Sequence, residues 1–406
     1  MRVIEGWRCA VCSATVGIDE PLVWQCPNRT VDDLHHVLHL LATGDDAPPI
    51  DDPNPFVRYG PRLAWWTFAG RHGMTVDERI DMTRAVAAGF SVTPLGRSAT
   101  LSDELGVELW VKDETRQLAG SQKGRHLISI LLHLRAAERL GIITDRRPLA
   151  IASCGNAAMA AATLAHAVGW PIEVFVPTWM DEAFGRRLDE LGAVTHVCPR
   201  LDTDPPGDPA MHRFRAAVAA GSIPFSVQGP ENAWCLDGGR TMGWELADQA
   251  HHAGVTLDRV VVQVGGGAFA ASVGSGLGPK VRLDTVQAEG CAPLASAWER
   301  ARHVAAPAER WTEIMRPWPD PSSSADGILD DETYDWLADF AVMRASGGRP
   351  LVASEADVNR AHQLAIAAGF DVSVTGAAGL AGVISDRASL RRHERVAVVM
   401  SGASRA

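Results

Sequence analysis

The sequence predicts an α/β protein with two lobes, each a three-layer αβα arrangement around a parallel-rich sheet. From residue 93 onward, short runs rich in β-branched residues alternate with Ala- and Leu-rich windows of helical length. This alternation is typical of strand–helix–strand units. The chain has 406 residues, enough for two lobes with their own cores. Residues 1–90 lack the pattern, so we expect them to form an irregular N-terminal extension.

Composition and charge exclude several classes of partner. The formal net charge is −11, and no concentrated basic stretch is present, so we expect no nucleic-acid partner. No window reaches the roughly 18 uncharged apolar residues of a membrane helix, and the N-terminus does not resemble a signal peptide. The seven cysteines are scattered, which is typical of a reducing compartment. We therefore expect a cytoplasmic protein without a membrane partner.

The N-terminal extension contains a possible metal-binding motif. It has three cysteines, Cys9, Cys12 and Cys26. Zinc would need a fourth ligand, for which there are three candidate histidines: His35, His36 and His39. Because one cysteine of a four-cysteine knuckle is missing, the favoured hypothesis is a degenerate knuckle without a metal. The segment "VDDLHHVLHL" is expected to be helical, and "APPIDDPNPF" to be an extended linker.

A small, mobile αβ domain is predicted at residues 146–224. Three buried strands are expected, at 147–153, 171–177 and 193–199. They alternate with two helices, at 157–169 and 181–192, which end at Gly169 and Gly192.

A larger domain is predicted from residues 91–145 and 225–406. Its expected elements are a helix at 241–254, a strand from residue 259, a helix at 268–277, and strands at 281–290 and 395–400. No internal repeat is apparent.

A three-glycine turn is the strongest local motif. A hydrophobic strand (260–264) is followed by Gly265, Gly266 and Gly267, and a helix begins at Ala268. Free backbone N–H groups at a helix N-terminus bind phosphate without a basic side chain. The turn lacks the Lys-Ser/Thr ending of a P-loop and the G-x-G-x-x-G spacing of a dinucleotide site. The alternative is a tight turn whose glycines serve only packing.

Lys123 in "LAGSQKGRH" is unusual because lysine is rare in this chain. Of 38 Lys and Arg residues, only Lys112, Lys123 and Lys280 are lysines. Arginine stays protonated, whereas a desolvated lysine can lose its proton and condense with an aldehyde. The alternative is an ordinary surface lysine.

Two further strand ends carry polar side chains. Ser153, Cys154 and Asn156 follow a strand and begin a helix, where they could bind a carboxylate or a ring oxygen, or simply cap the helix. Ser401 ends a buried strand, at the sheet edge where open α/β folds bind ligands. Together with the amine and the glycine turn, these groups would suit one phosphorylated aldehyde cofactor.

Seven motifs, taken in order, give the chain a family resemblance from Thr93 to the C-terminus. They are "TPL", "VKDET", "GSQKGRH", "ASCGNAA", "VGGGAFA", "VTGAAGLAGV" and "MSGAS". Their order and spacing resemble the tryptophan-synthase-β family of pyridoxal-phosphate (PLP) enzymes, known as fold type II. The family includes threonine synthases, cysteine synthases and several ammonia-lyases.

The resemblance implies a role for each candidate residue. Lys123 would be the Schiff-base lysine, Asn156 the partner of the PLP phenolic oxygen, and Ser401 the group facing the pyridine nitrogen. The PLP phosphate would be bound by four consecutive residues: Gly265, Gly266, Gly267 and Ala268. The substrate carboxylate would be bound by another four: Ser153, Cys154, Gly155 and Asn156.

Within this family, the chain most resembles the threonine-synthase branch. The resemblance lies in the segments "CLDGGRTMGWELADQ" and "VQAEGCAP". Gly124 after the lysine and Cys154 in place of a hydroxyl residue depart from that branch and argue against phosphohomoserine as substrate. We expect a homodimeric lyase that catalyses α,β-elimination on a small amino acid such as threonine, serine or diaminopropionate. The alternatives are a β- or γ-replacement enzyme of the threonine-synthase or cysteine-synthase kind, and a binding module without PLP.

Overall fold

The computed structural model describes residues 3–205 and 207–404. Its first part has three strands and three α-helices: β1 (Val3–Cys9), β2 (Thr15–Gly17), β3 (Leu38–Thr43), α1 (Pro55–Arg58), α2 (Ala64–Arg71) and α3 (Val76–Val86). The strands form an antiparallel sheet in the order β2-β1-β3. This sheet packs on the rest of the chain, where the rings of Trp7 and Trp234 lie 4.3 Å apart.

The expectation of an irregular N-terminal extension is therefore wrong, as is that of a helix in "VDDLHHVLHL". Residues 31–37 have no helical turn, and β3 begins at Leu38. Leu38 pairs with Cys9 and Leu40 with Trp7. Pairing with β1 and burial against it outweigh a weak local preference for helix.

A six-stranded sheet carries the larger lobe. The chain enters it through β4 (Leu95–Arg97), α4 (Ala99–Leu105), β5 (Glu108–Asp113) and α5 (Lys123–Arg139). The chain then forms a four-stranded sheet before it returns to the six-stranded sheet. The elements of this second sheet are β6 (Leu149–Ala152), α6 (Asn156–Val168), β7 (Ile172–Val176), α7 (Glu182–Glu190), β8 (Val194–Val197), α8 (Pro209–Ala219) and β9 (Ile223–Pro224).

The rest of the chain completes the six-stranded sheet. Its elements are α9 (Trp234–His252), β10 (Arg259–Gln263), α10 (Ala268–Leu277), β11 (Arg282–Ala288), α11 (Pro293–Arg300), α12 (Trp311–Ile314), α13 (Trp336–Ser346), β12 (Pro350–Ala353), α14 (Glu355–Ala367), α15 (Val374–Ser385) and β13 (Arg395–Met400). The strand orders are β12-β11-β10-β13-β5-β4 and β8-β7-β6-β9. All pairs in the two sheets are parallel except β4 with β5.

Helices cover both faces of each sheet. Val260 and Val262 of β10 pack in one core with residues of α10 and α13, whereas Val261 packs in a second core with residues of α15. Successive side chains of a strand point to opposite faces, so this alternation defines a three-layer αβα lobe. The predicted α/β fold class is confirmed. Among the described residues, no helix has the length and apolar character needed to cross a membrane.

Candidate active site

Lys123 is the first residue of α5 and lies beside the carboxyl end of β13. The Gln122 N–H donates to the Ser401 carbonyl oxygen at 3.0 Å, and Ser121 forms an isolated bridge with Gly402. These contacts join the start of α5 to the segment that follows β13. The lysine predicted from composition and the serine predicted from its strand end are thus brought together by the backbone.

The surroundings of Lys123 favour a neutral amine. Burial lowers the pKa of Lys123, and the charges of Asp330 and Cys235 oppose this only in part. The other two lysines differ. Lys112 Nζ lies 2.5 Å from Glu245 Oε2, and Lys280 is exposed. Lys123 is therefore the lysine best suited to act as a nucleophile or a base.

The three-glycine turn joins β10 to α10, as predicted. Gly267 has a φ of 101°, and a Cβ added there would lie 2.6 Å from Asp339 Oδ2 and 3.0 Å from Thr333 Cγ2. Only glycine fits this position without strain. Asp330 Oδ2 lies against the turn, since a Cβ added at Gly266 would lie 3.7 Å from it. An acidic side chain thus lies next to the N–H groups of the turn, and N–H groups at a helix N-terminus are suited to bind anions.

Acidic side chains surround the turn. Asp335 Oδ2 accepts a hydrogen bond from the Gly229 N–H at 3.0 Å, and Asp339 is fully buried. Burial raises the pKa of Asp330 to about 6 and that of Asp335 to about 7. Burial, together with the charge of Asp335, raises the pKa of Asp339 well above its usual range. Part of this cluster is therefore protonated near neutral pH.

Ser401 presents a neutral, hydrogen-bonded hydroxyl. It is buried at the end of β13, and Gln263 Nε2 donates to its Oγ at 2.8 Å. The same amide nitrogen donates to the Gly376 carbonyl oxygen at 2.9 Å. Gln263 thus orients the Ser401 hydroxyl from the neighbouring strand, β10.

The segment Ser153 to Asn156 reaches the same place from the smaller lobe. Asn156 is the first residue of α6, whose N-terminus has no side-chain cap. A Cβ added to Gly402 would lie 2.8 Å from Asn156 Nδ2, so Asn156 lies against the segment after Ser401. Ser153, Cys154, Gly155 and Asn156 are all half-buried. A small molecule can therefore reach the uncapped N–H groups and the polar side chains together.

Three neighbours of these residues were not predicted as part of the site: Gln263, Asp330 and Cys235. Gln263 could have been found from the sequence, because it is the one polar residue inside the apolar run "VVVQV". Asp330 belongs to the acid-rich segment "DGILDDETYD", which has no periodic pattern to indicate its position. Cys235 lies in α9, and its proximity to Lys123 depends on how α9 packs against α5.

A half-buried lysine, a glycine turn at a helix N-terminus and a hydroxyl at a neighbouring strand end define an α/β enzyme that binds a phosphorylated aldehyde cofactor. Residues 86–402 match the family model described as "pyridoxal-phosphate dependent enzyme". The chain belongs to this family, and its cofactor is pyridoxal 5'-phosphate. The predicted family and cofactor are confirmed.

Relatives with assigned activities match the chain. It is 26% identical to a threonine synthase of Methanosarcina acetivorans over 76% of this chain and 74% of the relative. It is 25% identical to an L-threonine ammonia-lyase of Thermotoga maritima over 56% of this chain. The matched region spans about half (54%) of the ammonia-lyase.

Solved structures share the fold. A threonine deaminase of the organism abbreviated T.th. superposes with a TM-score of 0.64 at 24% identity, covering 82% of this chain and 99% of that protein. A diaminopropionate ammonia lyase of Escherichia coli superposes with a TM-score of 0.63 at 17% identity. The superposition covers 80% of this chain and 88% of that protein. These similarities extend over both αβα lobes of the fold.

Proposed function

We propose that the protein is a PLP-dependent lyase that catalyses α,β-elimination on a small amino acid with a hydroxyl or amino group on its β carbon. Threonine, serine and diaminopropionate are the candidate substrates. When bound, PLP supplies an electrophilic carbon and an electron sink for charge that develops at the α carbon. The ammonia-lyases among the relatives and the shared folds support this assignment.

The residues present fit the cofactor. The glycine turn leads into the N-terminus of α10, which has no side-chain cap, so its N–H groups suit the PLP phosphate. We assign phosphate binding to four residues: Gly265, Gly266, Gly267 and Ala268. We assign the Lys123 amine to the aldehyde carbon, Asn156 to the phenolic oxygen, and Ser401 to the pyridine nitrogen.

Lys123 has a second role in this proposal. Because burial lowers its pKa, the amine is neutral in a larger fraction of molecules than a surface lysine is. It can therefore accept the proton from the substrate's α carbon. The α-carboxylate is assigned to the uncapped N-terminus of α6, with Ser153, Cys154, Gly155 and Asn156 as its partners.

Ser401 favours elimination over transamination. Its hydroxyl accepts a hydrogen bond from the Gln263 amide, and a hydroxyl does not hold a ring nitrogen protonated as a carboxylate would. Charge from the α carbon is then delocalised less fully into the ring. Departure of a β leaving group competes well under these conditions.

One observation favours a lyase over a synthase that acts on a phosphorylated substrate: two buried arginines, Arg125 and Arg240, are paired with carboxylates. Arg125 lies two residues after Lys123 in α5, and Arg240 lies in α9. Arg125 is fully buried, and its nitrogens lie 2.8 Å from Glu114 Oε2 and 2.6 Å from Glu245 Oε1. Arg240 is buried as well and pairs with Asp237 at 2.9 Å. Both cations are held by carboxylates, so neither supports binding of a substrate phosphate.

A replacement enzyme of the threonine-synthase or cysteine-synthase kind is the second candidate. The match to the threonine synthase covers a larger share of this chain, 76%, than the match to the ammonia-lyase. Replacement uses the same cofactor and base, but a nucleophile adds to the dehydrated substrate. The two candidates therefore predict different requirements for a second substrate.

Substrate screening separates the two. The purified enzyme would be incubated with serine, threonine and diaminopropionate, each alone, and the keto acid and ammonia would be measured. The lyase predicts stoichiometric keto acid and ammonia from at least one amino acid alone. Product only from phosphohomoserine, or only with an added thiol, would contradict the lyase and support replacement. The variant Lys123→Arg is the control for cofactor-independent breakdown.

We also propose the assembly and the domain limits. The large PLP-binding domain comprises residues 91–145 and 225–406, and the small domain, residues 146–224, closes toward it when substrate binds. The enzyme is proposed to act in the cytoplasm as a homodimer. The division agrees with the two sheets, since β6 to β9 all lie within the proposed small domain.

A further inference from the structure

Four metal-ligating side chains converge at one point of the N-terminal sheet. The donor atoms of Cys9, Cys12, Cys26 and His36 all lie within 4.8 Å of one another. Cys9 Sγ is 3.5 Å from His36 Nδ1, and Cys12 Sγ is 3.5 Å from Cys26 Sγ. Ligands of a tetrahedral zinc ion, with bonds of about 2.0–2.3 Å, lie about 3.4–3.8 Å apart. The cluster therefore needs little rearrangement to bind zinc.

Hydrogen-bond donors point at the sulfur atoms. The N–H groups of Val11 and Cys12 lie 3.4 Å and 3.5 Å from Cys9 Sγ. The Asn28 N–H lies 3.4 Å from Cys26 Sγ, and its Nδ2 lies 3.3 Å from Cys12 Sγ. All three sulfurs thus receive donors. Such contacts favour thiolates, which are the form that binds a metal.

His36 is oriented as a metal ligand. Its Nδ1 faces Cys9, and its Nε2 lies 3.3 Å from Asp33 Oδ2. Histidines that bind metals regularly have a carboxylate on their second ring nitrogen, which fixes the tautomer and the ring plane. Of the three candidate histidines, His36 is the one that lies with the cysteines and supplies the fourth donor. Its ring belongs to the loop just before β3, so its position depends on the strand pairing that the sequence did not predict.

We propose that Cys9, Cys12, Cys26 and His36 bind one structural zinc ion. Three thiolates and one imidazole are the soft and borderline donors that zinc prefers, whereas calcium and magnesium take oxygen ligands. Since the protein supplies all four ligands of a tetrahedral ion, the site is structural. The proposal does not depend on which reaction the enzyme catalyses.

The zinc ion would anchor the segment that holds the N-terminal sheet on the body of the enzyme. The Val23 and Trp24 carbonyl oxygens accept hydrogen bonds from Trp234 Nε1 at 2.8 Å and from the Ala233 N–H at 2.9 Å. Arg29 Nη2 donates to Glu231 Oε1 at 2.8 Å. These contacts lie on either side of Cys26, at the start of α9. Loss of the ion should therefore loosen the contact with α9.

Metal analysis of the full-length, PLP-loaded enzyme, purified with a thiol reductant, tests the proposal. We expect about one zinc per chain in the wild type. In His36→Ala, the zinc content after dialysis against a weak chelator should fall roughly tenfold or more. His36→Cys restores a fourth ligand and should retain zinc. The matched controls are His35→Ala, which removes the neighbouring histidine, and Cys198→Ser, which removes a cysteine of the smaller lobe, and both should keep the ion.

Cobalt provides a second readout that does not depend on activity. Exchange with Co²⁺ should give the visible ligand-field bands and sulfur-to-metal charge-transfer bands of a tetrahedral thiolate site, and His36→Ala should lose or shift them. Wild-type protein without zinc and without these bands would overturn the proposal. A Cys12–Cys26 disulfide in place of bound zinc, found by peptide mapping of the enzyme as purified with reductant, would overturn it as well. Unchanged zinc content in His36→Ala would exclude His36 as the fourth ligand.

Discussion

Gln263 Nε2 donates a hydrogen bond to Ser401 Oγ at 2.8 Å and so joins the carboxyl ends of β10 and β13. The two strands are neighbours and run parallel. The glycine turn follows one of them and the segment that positions Lys123 contacts the end of the other. This bond therefore lies where the candidate phosphate and ring-nitrogen partners meet.

Removal of the Ser401 hydroxyl should slow the reaction without unfolding the protein. In Ser401→Ala, the Gln263 amide loses one of its acceptors and the ring nitrogen loses its partner, so we expect kcat to fall by about tenfold. The matched control is Ser404→Ala, which removes a hydroxyl that donates to the Val372 carbonyl oxygen at 2.9 Å. Equal kcat values for the two variants would argue against a role for Ser401.

Lys123→Arg should abolish turnover and preserve the fold. Arginine keeps the charge but stays protonated and is a poor nucleophile, so we expect kcat to fall by roughly a thousandfold or more. The same substitution at the exposed Lys280 is the control. Circular dichroism would check the fold, and the visible absorption of the bound cofactor would check the linkage. Substantial activity in Lys123→Arg would contradict the assignment.

Asp330 should compete with the cofactor's phosphate for the glycine turn. Its carboxylate lies against the turn, and burial raises its pKa to about 6. Above pH 6 the carboxylate is charged and repels phosphate, whereas below pH 6 it is largely neutral. Asp330→Asn should therefore bind PLP several-fold more tightly than the wild type at pH 8, with a smaller difference at pH 5.5.

Titration of the cofactor-free protein with PLP, followed by absorption, measures this difference. The control is Asp326→Asn, because Asp326 is exposed and lies in the same segment. Weaker binding of PLP by Asp330→Asn at pH 8 would show that Asp330 helps to hold the cofactor rather than competing with it.

Asp335 should lower stability as the pH rises. Burial raises its pKa to about 7, so between pH 4 and pH 7 the folded state binds a proton that the unfolded state has lost. Stability then falls with rising pH. The gain in unfolding free energy from Asp335→Asn should be about 2–3 kcal/mol larger at pH 8 than at pH 5. Urea denaturation at both pH values would measure it. A gain in unfolding free energy that is the same at both pH values would contradict the raised pKa of Asp335.

The ion pair between Arg29 and Glu231 should be important for stability. Both side chains are almost completely buried, and Arg215 also pairs with Glu231 at 2.8 Å. Burial opposes ionisation of Glu231, but the two arginines outweigh it and hold its pKa below the usual value. Arg29→Ala leaves this carboxylate with one partner and should destabilise the protein by about 2–3 kcal/mol.

The matched control for Arg29→Ala is Arg71→Ala. Arg71 pairs with Asp19 at 2.9 Å, but both side chains are about half exposed. We expect a loss below about 0.5 kcal/mol there. If thermal or urea denaturation showed equal losses of stability in the two variants, burial of the Arg29–Glu231 pair would add nothing to its contribution to stability.

The parallel units were predictable from the sequence because each strand and helix carries its own local signal. Helix α10 spans Ala268–Leu277, as predicted, since glycines end the strand and small apolar residues continue as helix. α6 ends at Val168 and is capped by Gly169, whose φ is 61°, as the helix-stopping glycine indicated. The order of these units places Lys123, the glycine turn and Ser401 at the carboxyl edge of the six-stranded sheet, and their roles toward the cofactor stay a prediction.

The N-terminal sheet and the acidic cluster were not predictable in the same way. Strand β3 exists because it pairs with β1, and that pairing depends on residues about thirty positions apart. His36 reaches the cysteines for the same reason. Asp330 and Asp335 lie in loops or at a helix start, without periodicity, and their raised pKa values result from tertiary burial. The N-terminal sheet and the acidic cluster therefore depend on tertiary contacts, which local sequence patterns do not reveal.

Reduction of the PLP-loaded enzyme with borohydride, followed by peptide mapping, tests the central claim most directly. Borohydride fixes the cofactor to the amine that holds it, and the chain offers only three lysines. The account predicts a pyridoxyl label on the peptide that contains Lys123. A label on Lys112 or Lys280, or no label on any lysine, would contradict it.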